Sequence, residues 1–180
     1  MWYTISTMLR VISAARESMQ KPRVYLETSF ISYLVARPSS DLERAERQSF
    51  TLKWWETISE RCALFVSDYV YDEAQDGDAE ASAKRTEVIT KLPFLTVDMS
   101  EVERLVEKLR NQHQIFEKQV TDAAHIAVAS IAKMDVLLTW NCKHMANIVE
   151  LPKTVRIVTQ AGYECPMIIT PKDYLEKINV

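Results

Sequence analysis

The sequence predicts a three-layer α/β/α domain with a mostly parallel central sheet. Short segments that are apolar at nearly every position alternate along the chain with longer segments of helical character. Strands that carry apolar residues on both faces are typical of a parallel sheet covered by helices on both sides. The alternation favours the same architecture, because parallel strands are joined by crossover helices. The strands are predicted at residues 23–26, 62–66, 94–97, 136–139 and 155–158, with an edge segment at 166–170.

Residues that favour helix N-termini precede most of the helical segments in the first half of the chain. Thr28 or Ser29 precedes a short apolar segment, and Ser40 or Asp41 precedes a long one. Ser67 stands in the same position after the second strand. The side-chain oxygens of such residues accept hydrogen bonds from the free N–H groups of a first helical turn. We therefore predict helices at residues 30–34, 42–60, 68–74 and 79–91.

The most distinctive helix of the second half follows Asp122. Its residues are apolar on every side as far as residue 132, so this helix should be buried rather than half-exposed. A more charged helix precedes it, with Asp98 or Ser100 as its N-terminal cap. The helices predicted here cover residues 101–111, 122–132 and 143–149, with a short tail helix after Pro171.

Composition describes one globular domain and excludes several classes of site. The chain has 180 residues, 47% of them hydrophobic and 26% charged, and a net charge of −3. Its two glycines, Gly77 and Gly162, cannot form a phosphate-binding or dinucleotide-binding loop, each of which needs several glycines within one turn. The three cysteines have no C-x-x-C spacing. They indicate a reducing cytoplasm rather than a disulfide framework or a zinc site.

The first 22 residues differ from the rest of the chain. They are basic, with Arg10, Arg16 and Lys21 against a single acid, Glu17, and they are mildly amphipathic. Their apolar runs are too short to span a membrane. We therefore predict that residues 1–22 are an N-terminal extension, at least part of which lies outside the fold, and that residues 23–180 form a single domain without a membrane segment.

Polar residues stand where several predicted strands end. These residues are Glu27, Ser67, Thr139 and Asn141. Asp122 begins the buried helix, which should pack antiparallel to the following strand and so bring Asp122 towards Asn141. Glu73 lies one short helix beyond a strand end. Because ligands bind beyond the carboxyl ends of parallel strands, we expect these side chains to form a site.

Each residue of this expected site also has a structural interpretation. Asp122 could only stabilise a helix N-terminus. Glu73, beside Asp72, could belong to the exposed surface, and Asn141 could form a turn. Glu27 is the most difficult to explain in structural terms, because a buried acid without a partner is costly.

Four segments in this order resemble the PIN domain family, which includes the VapC-like toxins of toxin–antitoxin pairs. The segments are VYLETS, the S-x5-E spacing from Ser67 to Glu73, TDAAHIAVA and LLTWNCKH. The resemblance covers about residues 23–175. Matching the family position by position implies that the acidic site consists of Glu27, Glu73, Asp122 and Asn141.

Two of these positions depart from the family pattern. The first is usually Asp, and Glu27 is one methylene longer. The fourth is often Asp, and Asn141 supplies an oxygen without a charge. The resemblance therefore implies metal binding by Glu27, Glu73 and Asp122, with one ion held well and a second held weakly or only with substrate. All-oxygen ligation without cysteine favours Mg²⁺ or Mn²⁺.

The resemblance also implies a function and partners. It predicts metal-dependent hydrolysis of RNA phosphodiester bonds by a cytoplasmic toxin, neutralised by a cognate antitoxin and assembled as a homodimer. Residues that could orient the carboxylates or bind substrate are Thr28, Ser29, Ser67, His125, Thr139, Lys143 and His144. Basic residues that could line an RNA groove are Arg37, Lys84, Arg85 and Lys118.

Two other interpretations stay open from the sequence. The departures at Glu27 and Asn141 are compatible with a PIN-like module that binds RNA with little or no turnover. The adjacent Trp54 and Trp55 are more typical of core or dimer packing than of base stacking, and with the acidic composition they are also compatible with a structural partner-binding domain.

Overall fold

A computed structural model of the protein describes residues 21–178 and contains one parallel sheet. Its strands are β1 (Arg23–Leu26), β2 (Ala63–Phe65), β3 (Val136–Leu138) and β4 (Met167–Ile169), in the order β2-β1-β3-β4. All three strand pairs are parallel. The predicted three-layer α/β/α fold with a mostly parallel sheet is confirmed.

Eight α-helices surround this sheet within the described residues. They are α1 (Thr28–Val35), α2 (Leu42–Ile58), α3 (Asp68–Ala74), α4 (Ala79–Ile89), α5 (Met99–Gln112), α6 (Val120–Ile131), α7 (Leu151–Gln160) and α8 (Pro171–Ile178). Helices α1, α2, α4 and α8 pack in one group, and α5, α6 and α7 pack in another. Two 3-10 turns, Ser59–Arg61 and Gln114–Phe116, follow α2 and precede α6.

The two central strands have the burial that their sequences predict. Val24, Tyr25 and Leu26 of β1 have no exposed surface, and every residue of β3 is buried. The register places Leu26 beside Leu138, and Leu138 beside Ile169. The residues that follow these strands, Glu27, Thr139 and Thr170, therefore leave the sheet at the same edge.

The predicted strand at residues 155–158 is wrong, because this segment lies inside α7. The buried residues there are Thr154, Ile157 and Val158, at the spacing of one helical face. Pro152 stands in the first turn, where its fixed φ favours a helix. The fourth strand is instead the edge segment after Pro166, which pairs with β3 as β4.

Two further predicted elements do not form. Residues 94–97 are not a strand, and only one parallel bridge joins Val66 and Phe94. Residues 143–149 form turns rather than a helix. Both segments are short, so tertiary contacts decide their conformation more than local preference does.

The helix caps follow the prediction in part. Asp41 and Asp98 accept hydrogen bonds from the first turns of α2 and α5. Thr28 and Ser29 do not cap α1, which begins at Thr28 after Glu27. Ser67 stands at the N-cap of α3, but its side chain makes no capping bond. All three of these hydroxyl groups bind other side chains instead.

Most of the predicted N-terminal extension, residues 1–20, lies outside the described residues, and its separation from the fold stays a prediction. The carbonyl oxygen of Pro22 accepts a hydrogen bond from the Ala63 N–H group at 2.8 Å, so the sheet contacts begin just before β1. Between residues 21 and 178, no helix combines the length and the apolar character that crossing a bilayer requires.

Trp54→Ala should lower the free energy of unfolding by about 3–5 kcal/mol, because it removes buried contacts and leaves a cavity. Trp54 is fully buried, and its ring packs against Phe30 and Tyr174 with centroid separations of 5.4 and 5.8 Å. Leu42→Ala is the control on the same helix, since Leu42 is 87% exposed. Its effect should stay within about 0.5 kcal/mol. Urea unfolding measures both, and equal losses would contradict this packing.

Candidate metal centre

Glu27 stands directly after β1 and is buried, with 6% of its surface exposed. Its N–H group donates to the Leu138 carbonyl at 3.1 Å, so the pairing of β1 with β3 continues through this residue. Its Oε2 atom accepts hydrogen bonds from Ser29 Oγ and, at 2.7 Å, from Thr139 Oγ1. Ser29 Oγ in turn accepts from the Trp140 N–H group at 2.7 Å. The Glu27 carboxylate is therefore fixed by one hydroxyl group that follows β1 and one that follows β3.

Glu73 reaches the same place from α3. Its Oε2 atom accepts from Thr28 Oγ1 at 2.5 Å and lies 2.9 Å from His125 Nε2. Burial opposes ionisation of Glu73, but the hydrogen bonds from His125 and Thr28 and the charge of His125 lower the pKa of its carboxyl group. Glu73 is therefore held as a carboxylate.

Glu27, Glu73 and His125 form one compact cluster. One potential ligand atom from each of the three side chains lies within 4.8 Å of the other two. In both carboxylates Oε2 carries the hydrogen bonds, and Oε1 accepts none from the residues that the structure describes. Two carboxylates this close repel each other unless a positive charge lies near them. The two carboxylates therefore fit a divalent cation, with His125 bound to Glu73 beside them.

His125 is completely buried on α6, behind the two acids. Its Nδ1 atom lies 2.8 Å from the Tyr25 hydroxyl group, which lies 2.6 Å from Ser67 Oγ. Burial disfavours the imidazolium, but the hydrogen bond to Glu73 and the charges of Glu27, Glu73 and Asp122 raise the pKa of His125. Burial also raises the pKa of Tyr25 well above its ordinary value, so the phenol stays neutral.

Asp122 lies in the first turn of α6, one turn before His125, and is outside the three-residue cluster. Its Oδ2 atom is 2.9 Å from His144 Nδ1. The negative charge of Asp122 contributes to the raised pKa of His125. Metal binding by Asp122 stays a prediction, and His125 rather than Asp122 accompanies Glu27 and Glu73 in the described geometry.

Among the described residues, no hydrogen bond joins Asn141 or Lys143 to Glu27, Glu73 or His125. Asn141 Oδ1 accepts from the His144 N–H group at 3.1 Å, which is the turn that the structural interpretation expected. The Asn141 N–H group donates to Thr139 Oγ1 at 2.9 Å, so this turn is joined to the hydroxyl that holds Glu27. Lys143 is exposed, and its side chain makes no hydrogen bond within residues 21–178.

Sequence reasoning did not identify Tyr25 as part of this site. It lies in the middle of a buried strand, where an aromatic residue is ordinarily a packing residue. The one available signal was a hydroxyl-bearing side chain between two aliphatic ones, in a strand that should be buried on both faces. Buried tyrosine hydroxyls usually find a polar partner.

Solved structures of toxin–antitoxin proteins share this fold. VapC20 of Mycobacterium tuberculosis, described as a toxin that cleaves the Sarcin-Ricin loop, aligns with a TM-score of 0.51 and 16% identity, over 69% of this chain and 95% of that chain. VapBC2 of Rickettsia felis, solved with a DNA fragment from its promoter, aligns with a TM-score of 0.50 and 12% identity, over 82% and 98%. No family model and no curated protein matches the sequence. The chain has a VapC-like PIN-domain fold.

Adding Mn²⁺ should raise the Tm of the protein, because an ion that binds only the folded state stabilises it. At a hundredfold excess over Kd the gain is about 2.7 kcal/mol, which is roughly 5–10 °C for a chain of this length. Glu73→Gln should remove most of this gain. Asp72→Asn, which changes the exposed neighbouring carboxylate, should keep it.

Scanning fluorimetry with Mn²⁺ and then with excess EDTA measures the gain and its reversal. A gain that Glu73→Gln leaves intact would place the ion elsewhere in the molecule.

Proposed function

We propose that this chain, which has a VapC-like fold, is a metal-dependent endoribonuclease neutralised by a cognate antitoxin. The observation that carries the proposal is the close approach of Glu27 and Glu73 at the carboxyl edge of the sheet, with one oxygen of each carboxylate bound to hydroxyl groups. Two buried or half-buried acids with this arrangement have no structural purpose that apolar residues would not serve better.

In this proposal Glu27 and Glu73 hold Mg²⁺ or Mn²⁺, and Asp122 is the third acid of the site. The bound ion would supply charge neutralisation at the phosphate and a water of lowered pKa. The hydroxyl groups of Thr28, Ser29 and Thr139 keep the carboxylates in place. In the same proposal His144, which is paired with Asp122 and partly exposed, and Lys143 contact a phosphate group of the substrate.

A cleft with more cations than acids supports RNA as the substrate. It has a volume of about 660 Å³ and is lined by residues of α1, α2 and α4. Its cations are Arg37, Arg44, Lys84 and Arg85, against the acids Asp78 and Glu80. Three of the predicted groove residues therefore line one cleft, and Lys118 does not. The positive excess suits a single-stranded RNA backbone, which is accessible to a shallow acidic site.

The known structures support this assignment by analogy of fold. VapC20 is described as a toxin that cleaves the Sarcin-Ricin loop, and VapBC2 is a toxin–antitoxin pair. By this analogy we propose an antitoxin partner for this chain, and we further propose a homodimeric assembly and a cytoplasmic location. The three free cysteines agree with a reducing compartment.

Asp122→Asn should lower the rate of RNA cleavage in Mn²⁺ by about 100-fold or more. Loss of a residue that only supports a metal ligand already lowers activity by up to this factor, and Asp122 is proposed as an acid of the site itself. EDTA should abolish cleavage altogether. Glu101→Gln is the matched control, because Glu101 is also an acid in a first helical turn, on α5. It should cleave like the unaltered protein.

Labelled RNA resolved on a gel, together with the Tm of each variant, separates the alternatives. Equal, small losses of Tm with unchanged cleavage would mean that Asp122 only stabilises its helix. Cleavage that survives both Asp122→Asn and EDTA would rule out the proposed site.

Arg44→Gln should raise the KM for single-stranded RNA and leave kcat nearly unchanged, because a phosphate contact far from the reacting atoms supplies uniform binding. The Arg44 side chain lines the cleft and makes no hydrogen bond within residues 21–178. The slope of log Kd against the logarithm of the salt concentration should also fall by about 0.7, because one phosphate contact is lost. Lys53→Gln is the control, because Lys53 is exposed on the same helix but outside the cleft. An equal effect of this substitution would contradict RNA binding in the cleft.

A second candidate function is RNA binding without useful turnover. The observations that favour it are the engagement of Asn141 in a turn and the pairing of Asp122 with His144, which leave two acids in the compact cluster. RNA retention in a filter-binding assay, with no products at any concentration of Mg²⁺ or Mn²⁺, would select this function over hydrolysis.

A further inference from the structure

We infer that Tyr25 and His125 are positioning residues of the metal centre: the Tyr25 hydroxyl group orients the His125 imidazole, which fixes the Glu73 carboxylate. This inference rests on the proposed metal site and deepens it. The chain of contacts runs from Ser67 Oγ to the Tyr25 hydroxyl group at 2.6 Å, from there to His125 Nδ1 at 2.8 Å, and from His125 Nε2 to Glu73 Oε2 at 2.9 Å.

The side chains in this row of hydrogen bonds come from separate parts of the sequence and are almost wholly buried. Tyr25 and His125 have no exposed surface, and Ser67 has 3%. They belong to β1, α6 and the N-terminus of α3, and Tyr25 is 100 residues from His125. Placing three polar side chains in a core is costly unless each is satisfied. Apolar residues of similar size would fill this space without that demand.

Glu73 determines which atoms donate and which accept in this row of hydrogen bonds. A carboxylate only accepts, so the hydrogen must lie on His125 Nε2. A neutral imidazole then accepts at Nδ1 from Tyr25, and a charged one donates to the Tyr25 oxygen. Ser67 completes either arrangement, because its hydroxyl group can donate or accept. The ring orientation is the same in both cases, so the positioning does not depend on the protonation state of His125.

The consequence falls on one oxygen of Glu73. Thr28, which precedes Glu73 in the sequence, and His125, which follows it, both bind Oε2. Oε1 accepts no hydrogen bond within residues 21–178. A glutamate anchored in this way is already ordered before a ligand arrives. Outer partners of metal ligands act in this manner, and their loss typically weakens metal binding or activity. Without Tyr25 the imidazole loses the partner that fixes its second nitrogen.

The test compares Tyr25→Phe with the unaltered protein and with Tyr174→Phe. Tyr174 is also a buried tyrosine, 8% exposed on α8, but its hydroxyl group interacts with Cys62 and not with the site. Isothermal titration with Mn²⁺ measures Kd for each protein. We expect Tyr25→Phe to weaken Mn²⁺ binding by about 10-fold to 100-fold, and Tyr174→Phe to leave it unchanged.

Unfolding without metal provides the readout that separates positioning from packing. If Tyr25→Phe lowers the metal-free Tm but binds Mn²⁺ like the unaltered protein, the hydroxyl group is purely structural and the inference is overturned. Should Tyr25→Phe fail to fold, Ser67→Ala removes the next hydroxyl outward and should weaken Mn²⁺ binding in the same direction, by a smaller factor. Unchanged binding in that variant would equally overturn the inference.

The role of His125 has its own spectroscopic test. Pulsed EPR of bound Mn²⁺ should show no directly coordinated nitrogen, because Nε2 is engaged with Glu73 in our assignment. A strong ¹⁴N coupling would make His125 a ligand and overturn its positioning role. If the unaltered protein binds no Mn²⁺ at all, the proposed function falls together with this inference, whereas binding that Tyr25→Phe does not alter removes the inference alone.

Discussion

The close approach of Glu27 and Glu73 is the constraint around which this edge of the molecule is arranged. Two carboxylates with limited access to water repel each other and lose hydration, so the fold must supply compensating donors. It does so with hydroxyl groups that follow β1 and β3 and with one buried imidazole. The parallel register makes this possible, because it brings the ends of β1 and β3 to the same level.

The sequence was informative where a residue's environment is set by burial of a whole segment. The apolar strands at 23–26 and 136–139, the buried helix after Asp122 and the polar residues at strand ends all lie close to their predicted positions. It failed at residues 155–158, because a short apolar run fits a buried strand and a helical face equally well. It also could not decide which side chain would join Glu27 and Glu73, since Asp122 and His125 are one turn apart and only side-chain packing separates them.

The fold and the side chains of the site support different parts of the proposed function. Similarity to VapC20 and VapBC2 at 16% and 12% identity establishes an architecture, and that architecture hosts its chemistry at one edge of the sheet. The hydroxyl groups around Glu27, the imidazole behind Glu73 and the turn formed by Asn141 are properties of this chain's own side chains. The proposed hydrolysis depends on those side chains, and the hydroxyl groups of Ser29 and Thr139 bind the longer acid at position 27.

Ser29 illustrates how far such accommodation spreads. Its single hydroxyl oxygen donates to Glu27 and accepts from the Trp140 N–H group, 111 residues away in the sequence. Thr139 repeats the pattern, donating to Glu27 and accepting from the Asn141 N–H group. The carboxylate and the loop after β3 are therefore thermodynamically coupled, and substitutions at these positions should not combine additively. A double-mutant cycle across this edge would report an interaction free energy that belongs to the set and to no single residue.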